Sequence, residues 1–152
     1  MKLGGIVFRE GAASRGDIYS HLNDCNDSYK PALNERVDLL EYSIKISENA
    51  CTFEAWSNKL LVGLVAVYLN KSGSSSAYIT DVSVRKEYMG RGIASKLLEM
   101  CLKKVKECNF HEIVLEVSSG NKRAADLYRR HGFKGVDVAG ESMMMKLVFN
   151  ED

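Results

Sequence analysis

Thr80-Asp81-Val82-Ser83-Val84-Arg85-Lys86-Glu87-Tyr88-Met89-Gly90-Arg91-Gly92-Ile93-Ala94-Ser95-Lys96-Leu97-Leu98 runs from a strand through a glycine-bearing turn into a helix. The chemistry lies in the turn. The first N–H groups of a helix have no partner within it, and the helix dipole adds partial positive charge at that end. Gly90 and Gly92 remove side chains that would hold a ligand away, Ala94 keeps the first turn bare, and Arg91 adds a cation. Together these make a pyrophosphate cradle. A tight strand-to-helix turn would use the same glycines. A P-loop is excluded, because no Gly-Lys-Ser/Thr closes the turn. A dinucleotide fold fits poorly. Ser95 stands where its third glycine belongs, and the unit comes after the middle of the chain, although Glu116 is suitably placed on the next strand.

Upstream of this stretch, Leu3 to Arg9 reads as a strand and Ser14 to about Cys25 as a helix with Ile18 and Leu22 on one face. Pro31 lies in the polar loop that starts at Asn26. Asn34 reads as the cap of a second helix, with Val37, Leu40, Tyr42-Ser43 and Ile44 as its stripe and Asn49 as its end. Cys51 to Trp56 and Leu60 to Leu69 form a hairpin around Asn58-Lys59. Residues 71–76 make a flexible turn before the strand Ala77 to Val84. Downstream, Gly90 to Cys108 is a helix, Glu112 to Val117 a strand and Asn121 to His131 a helix. Phe133 to Ala139 and Ser142 to Phe149 close the chain as strands around Ala139-Gly140. This order predicts an α/β fold with a mixed, largely antiparallel sheet of about seven strands and helices on both faces. The first four strands form a meander, and the strand–helix–strand unit from Ala77 to Val117 is parallel.

The 152 residues fit one domain over 1–152. Lys+Arg 21 against Asp+Glu 20 leaves a net charge of +1, which lacks the footprint of a duplex nucleic-acid binder. The N-terminal apolar run is too brief for a signal peptide, and no stretch reaches the roughly 18 apolar residues of a membrane span. Cys25, Cys51, Cys101 and Cys108 show no CxxC pair and no histidine at zinc spacing, so no metal is expected. Reduced, packed cysteines and a cytoplasmic protein are the expectation. Met143-Met144-Met145 reads as strand packing.

A second signature follows the first: Asn121-Lys122-Arg123-Ala124-Ala125-Asp126-Leu127-Tyr128-Arg129-Arg130-His131-Gly132-Phe133. With it the chain resembles the GNAT superfamily of acyl-CoA-dependent N-acetyltransferases. That family's loop is Gln/Arg-x-x-Gly-x-Gly/Ala, here Met89 to Ala94, and its second motif is Asn-x-x-Ala-x-x-Leu-Tyr-x-x-x-Gly-Phe. Met89 departs from the usual Gln or Arg, at a position that contributes mainly backbone. The resemblance covers Leu3 to Phe149 and implies the GNAT fold, with acetyl-CoA as co-substrate. It implies direct transfer of the acetyl group to a primary amine without a covalent enzyme intermediate.

The resemblance also assigns roles. The main chains of Val82 and Val84 would pair with pantetheine like an added strand. The backbone from Met89 through Gly90, Arg91, Gly92, Ile93 and Ala94 would hold the pyrophosphate. Asn121, Ala124 and Tyr128 would meet the cofactor arm, and Asn121 reads equally as a helix cap. Asn121 and Tyr128 share a helix face about 10.5 Å apart. Tyr128 would protonate the departing thiolate. An amine must lose a proton, and the candidate bases are Asp81, Tyr78, Glu54 and Glu116, with Asp81 first because it adjoins the bound thioester. The acceptor pocket would come from Tyr29-Lys30-Pro31-Ala32-Leu33 and the second helix, with Phe53 and Trp56. His21, His111 and His131 read as surface or helix-end residues. The expected acceptor is a small-molecule amine such as an amino sugar, amino acid or polyamine. The alternatives are an acyl-CoA sensor and a protein or peptide N-acetyltransferase subunit. Many relatives pair as dimers, so a homodimer fits.

Overall fold

The computed structural model describes residues 4–69 and 75–149. The strands are β1 (Ile6–Glu10), β2 (Cys51–Ser57), β3 (Leu60–Tyr68), β4 (Ser76–Val84), β5 (Glu112–Ser118), β6 (Lys134–Ala139) and β7 (Ser142–Val148). The α-helices are α1 (Arg15–Cys25), α2 (Leu39–Asn49), α3 (Ile93–Glu107) and α4 (Lys122–Arg130). The strands form one seven-stranded sheet in the order β1-β2-β3-β4-β5-β7-β6. Only β4 and β5 run parallel; the other neighbours are antiparallel. The expected mixed sheet is therefore present. Leu3 and most of the expected turn at 71–76 lie outside the described residues.

The nearly continuous apolar run of β3 follows from burial on both faces. Leu61, Leu64 and Ala66 pack with Ile18 and Leu22 of α1 and Ile46 of α2. Val62, Val65 and Val67 pack on the other face with Leu97, Leu98, Cys101 and Val105 of α3. Gly63 brings α3 down onto the sheet: a Cβ there would lie 2.8 Å from Ile93 Cγ2 and 3.1 Å from Leu97 Cδ1. The first turn of α3 is thus seated on the middle of β3.

A capping box starts α1. Ser14 Oγ accepts the Asp17 N–H at 3.1 Å, and Asp17 accepts the Ser14 N–H at 2.9 Å. The second helix starts later than Asn34. Asp38 is its cap, accepting the Glu41 N–H at 3.0 Å, while the Asn34 N–H donates to Asn26 Oδ1 at 2.7 Å beside a short 3-10 turn. With that start the buried positions of α2 are Ser43 and Ile46, and Leu40 is exposed. Ser43 of the expected stripe is buried, and Val37 and Tyr42 pack against the same core; the helix start is what differs, because Asn34 and Asp38 carry the same capping chemistry.

Candidate active site

The site begins with an irregularity in β4. Asp81 pairs with Ala66 and Ile79 with the next residue, Val67, so Thr80 is an extra residue on β4. The Tyr42 hydroxyl of α2 donates to the Thr80 carbonyl at 2.6 Å and lies 2.7 Å from Thr80 Oγ1. The bulge reverses which side chains face which layer. Ala77 and Ile79 sit in the α3-side core, and a regular strand would send Asp81 after them. Instead Asp81 and Ser83 turn toward α1 and α2, while Val82 and Val84 pack with the α3 side.

Pairing with β5 ends at the same place. The last register pair is Ile79 with Leu115, so β4 from Thr80 onward has no β5 partner. The main chains of Val82 and Val84 therefore border a cavity of about 1380 Å³. Beyond β4, Gly90 and Gly92 take φ of 77° and 81°, a region that disfavours any side chain. A Cβ on either would meet nothing within 4 Å. Their glycines thus serve backbone conformation and an open approach, not packing. The first α3 bond joins the Lys96 N–H to the Gly92 carbonyl at 3.1 Å, which leaves the N–H groups of Ile93, Ala94 and Ser95 ahead of the helix ladder. Arg91 lies over the Tyr88 ring, 5.0 Å from its centroid. Met89 spends its N–H on the Lys86 carbonyl at 3.2 Å, so that amide is engaged within the turn.

Asn121 and Tyr128 line the same cavity from α4. Asn121 is the helix cap, its Oδ1 accepting the Ala124 N–H at 3.1 Å. That bond leaves its amide nitrogen for other partners. Tyr128 is buried with its ring edge-on to Phe133, and burial, then the nearby Asp81 charge, raises its pKa above the ordinary phenol value.

Asp81 is 4% exposed. Tyr29 donates to Oδ1 and Ser83 Oγ donates to Oδ2 at 2.6 Å. Burial raises its pKa to about 6, against the Ser83 and Tyr29 hydrogen bonds and the Arg36 charge, which favour the anion. Behind Ser83 lies His21 of α1, fully buried, with Nε2 2.9 Å from Ser83 Oγ and Nδ1 3.1 Å from the Leu61 carbonyl. Tyr78 and Glu116 also line the cavity, and Glu116 accepts the Ser142 hydroxyl at 3.1 Å.

Residues 16–133 match the family described as Acetyltransferase (GNAT) family. The chain belongs to the GNAT family. That family is one of acetyltransferases. The chain is similar to N-alpha-acetyltransferase 30 of Schizosaccharomyces pombe, 34% identical over 54% of this chain and 56% of the relative. It is also similar to the probable N-acetyltransferase camello of Xenopus tropicalis, 30% identical over 65% of this chain and 46% of the relative. The chain thus spans about half the length of these curated relatives. Its GNAT fold is shared with the PaiA N-acetyltransferase of Thermoplasma acidophilum, a structure holding coenzyme A. That likeness has a TM-score of 0.75, at 18% identity, over 95% of this chain and 99% of the other. The residues present here fit a group of coenzyme A's chemistry: an open left-handed glycine pair, helix-start N–H groups and an unpaired β4 edge meet in one cavity.

Several of the expected residues lie away from the cavity. Phe53 and Trp56 are core residues on opposite faces of the sheet and do not line the cavity, whereas Tyr29, Lys30 and Leu33 do. Glu54 is fully buried and structural. It accepts the N–H groups of Ala12 and Ala13 and donors from Thr52 and Trp56. His21 is no surface residue. Its signal was present in α1, where Ile18, His21, Leu22 and Cys25 are all buried at i, i+3, i+4 and i+7. Among the cysteines, Cys108 is exposed rather than packed, and none of the four forms a disulfide. No group among the described residues could hold a metal, and no described helix is long and apolar enough to cross a membrane.

Proposed function

We propose that this GNAT chain acetylates a primary amine, with Asp81 receiving the amine proton and Tyr128 facing the leaving sulfur. One observation carries this reading. Asp81, from the bulged strand, and Tyr128, from α4, line the same cavity as the open glycine turn. Acetyl-CoA supplies the acyl group and a thiolate leaving group. The main chain of Val82 and Val84 and the backbone from Gly90 to Ala94 hold and aim it. Asn121 offers its amide nitrogen to the arm.

Asp81 is suited to accept a proton near neutral pH, because burial has already raised its pKa to about 6. Tyr128 keeps its proton until negative charge develops on sulfur, since its own pKa is raised. The α-amine of a peptide is the acceptor that the N-alpha-acetyltransferase relative supports. A small-molecule amine is the second reading, favoured by the Ser118 hydroxyl donating to the Lys30 carbonyl at 3.0 Å, which ties the α1–α2 connection to the end of β5. Thiol release measured with short peptides and with small amines separates the two. Tyr128→Phe should lower turnover about 100-fold, the scale of one general acid. Unchanged turnover removes Tyr128 from the chemistry.

A further inference from the structure

We propose that His21 sets the proton affinity of Asp81 by competing with it for the single hydroxyl proton of Ser83. His21 and Ser83 are then positioning residues for the base. The inference rests on Asp81 as the proton acceptor for its catalytic meaning, but not for its physical content.

The Leu61 carbonyl can only accept, and it takes the Arg85 Nε–H at 2.7 Å while lying 3.1 Å from His21 Nδ1. Nδ1 therefore carries a proton. Burial first, and the Arg85 charge after it, hold the His21 pKa down to about 4, so the ring is neutral at pH 7 and Nε2 is a bare acceptor. Ser83 has one proton and two acceptors for it: Asp81 Oδ2 at 2.6 Å and His21 Nε2 at 2.9 Å.

With Asp81 ionised, Ser83 donates to the carboxylate. Nε2 then has the Cys25 thiol, 3.7 Å away, as its donor. That thiol stays protonated, since burial pushes its pKa up to about 12. When Asp81 gains a proton, its O–H donates to Ser83 Oγ, and Ser83 turns its own proton to Nε2. Tyr29 donates to Oδ1 throughout. Each buried group is satisfied in both states, so the network takes up one proton without stranding a polar atom. The other groups near Asp81 do not change this count. Arg36 is a cation, and the phenols of Tyr42, Tyr68 and Tyr128 have raised pKa values and stay neutral. Beside His21, Arg85 is paired with Asp24.

Two variants should move Asp81 in opposite directions. His21→Phe removes the competitor, leaves the Ser83 proton to the carboxylate and lowers the Asp81 pKa by about one unit. Ser83→Ala removes the donor from the carboxylate and raises it by about one unit. The readout is a 13C NMR titration of the Asp81 carboxyl in the ligand-free chain, alongside the acid limb of the kcat/KM profile. Opposite shifts support the proposal. Shifts of the same sign, or none, overturn it. Should His21→Phe fail to fold, the 15N spectrum of the native imidazole decides: a neutral ring protonated on Nδ1 at pH 7 supports the proposal, and an Nε2–H tautomer or a cation overturns it. Asp81→Asn separates the two readings. Full activity in that variant removes Asp81 as base while the NMR titrations still judge the network.

Discussion

Gly92→Ala tests the cradle most directly, because its two effects differ in origin. Gly92 has φ of 81°, and an alanine there costs about 1–2 kcal/mol of backbone strain. For a domain of this size each kcal/mol lowers Tm by about 2–4 °C, so the fold persists with Tm about 2–8 °C lower. The added methyl meets no protein atom within 4 Å, so it stands in the space a diphosphate must approach. Losing two charge-assisted N–H contacts removes about 3 kcal/mol of binding, or about 100-fold in Kd. Gly11 is the matched control. It too has positive φ, 67°, and open space at its Cβ, but it does not line the cavity. Gly11→Ala should lose comparable stability and keep its affinity. Calorimetric titration with coenzyme A, beside thermal unfolding of each variant, reads both quantities. Gly92→Ala binding within twofold of the native chain, or equal losses in both variants, would refute the cradle.

Gly63→Ala places a methyl 2.8 Å from Ile93 Cγ2 and should cost about 1–3 kcal/mol by overpacking, with weaker coenzyme A binding because Ile93 opens α3. Thermal melts and the same titration check it. Glu54→Ala strands the N–H groups of Ala12 and Ala13 together with the Thr52 and Trp56 donors, at about 1–3 kcal/mol for each one left buried and unpaired. Urea unfolding should show that loss, and a stability equal to the native chain would remove Glu54 as the tie between β2 and the approach to α1.

The glycine turn and the α4 face of the cavity were legible because their requirements are local. A left-handed turn needs glycine wherever it occurs, and Gly90 and Gly92 announce it without reference to the rest of the chain. Asn121 and Tyr128 share a helix face by spacing alone. The placement of Asp81 depends on long-range pairing. Alternation from Ala77 and Ile79 would have carried Asp81 into the apolar layer, and only the extra residue at Thr80 sends it toward His21. Glu54 and Asp81 are both acidic strand residues. What distinguishes them is which donors surround them, and those donors come from distant segments. The start of α2 was misplaced because two good caps, Asn34 and Asp38, stand four residues apart and only tertiary packing chooses between them.

The strand order carries a consequence for biosynthesis. β7 lies between β5 and β6, so the last of the seven strands to leave the ribosome fills an interior position. Until it emerges, one margin of β5 has no neighbour and the fully buried Met145 is missing from the core. A nascent chain that stalls before β7 would present an unpaired edge able to capture other chains, which makes this interval the one in which chaperone protection matters most.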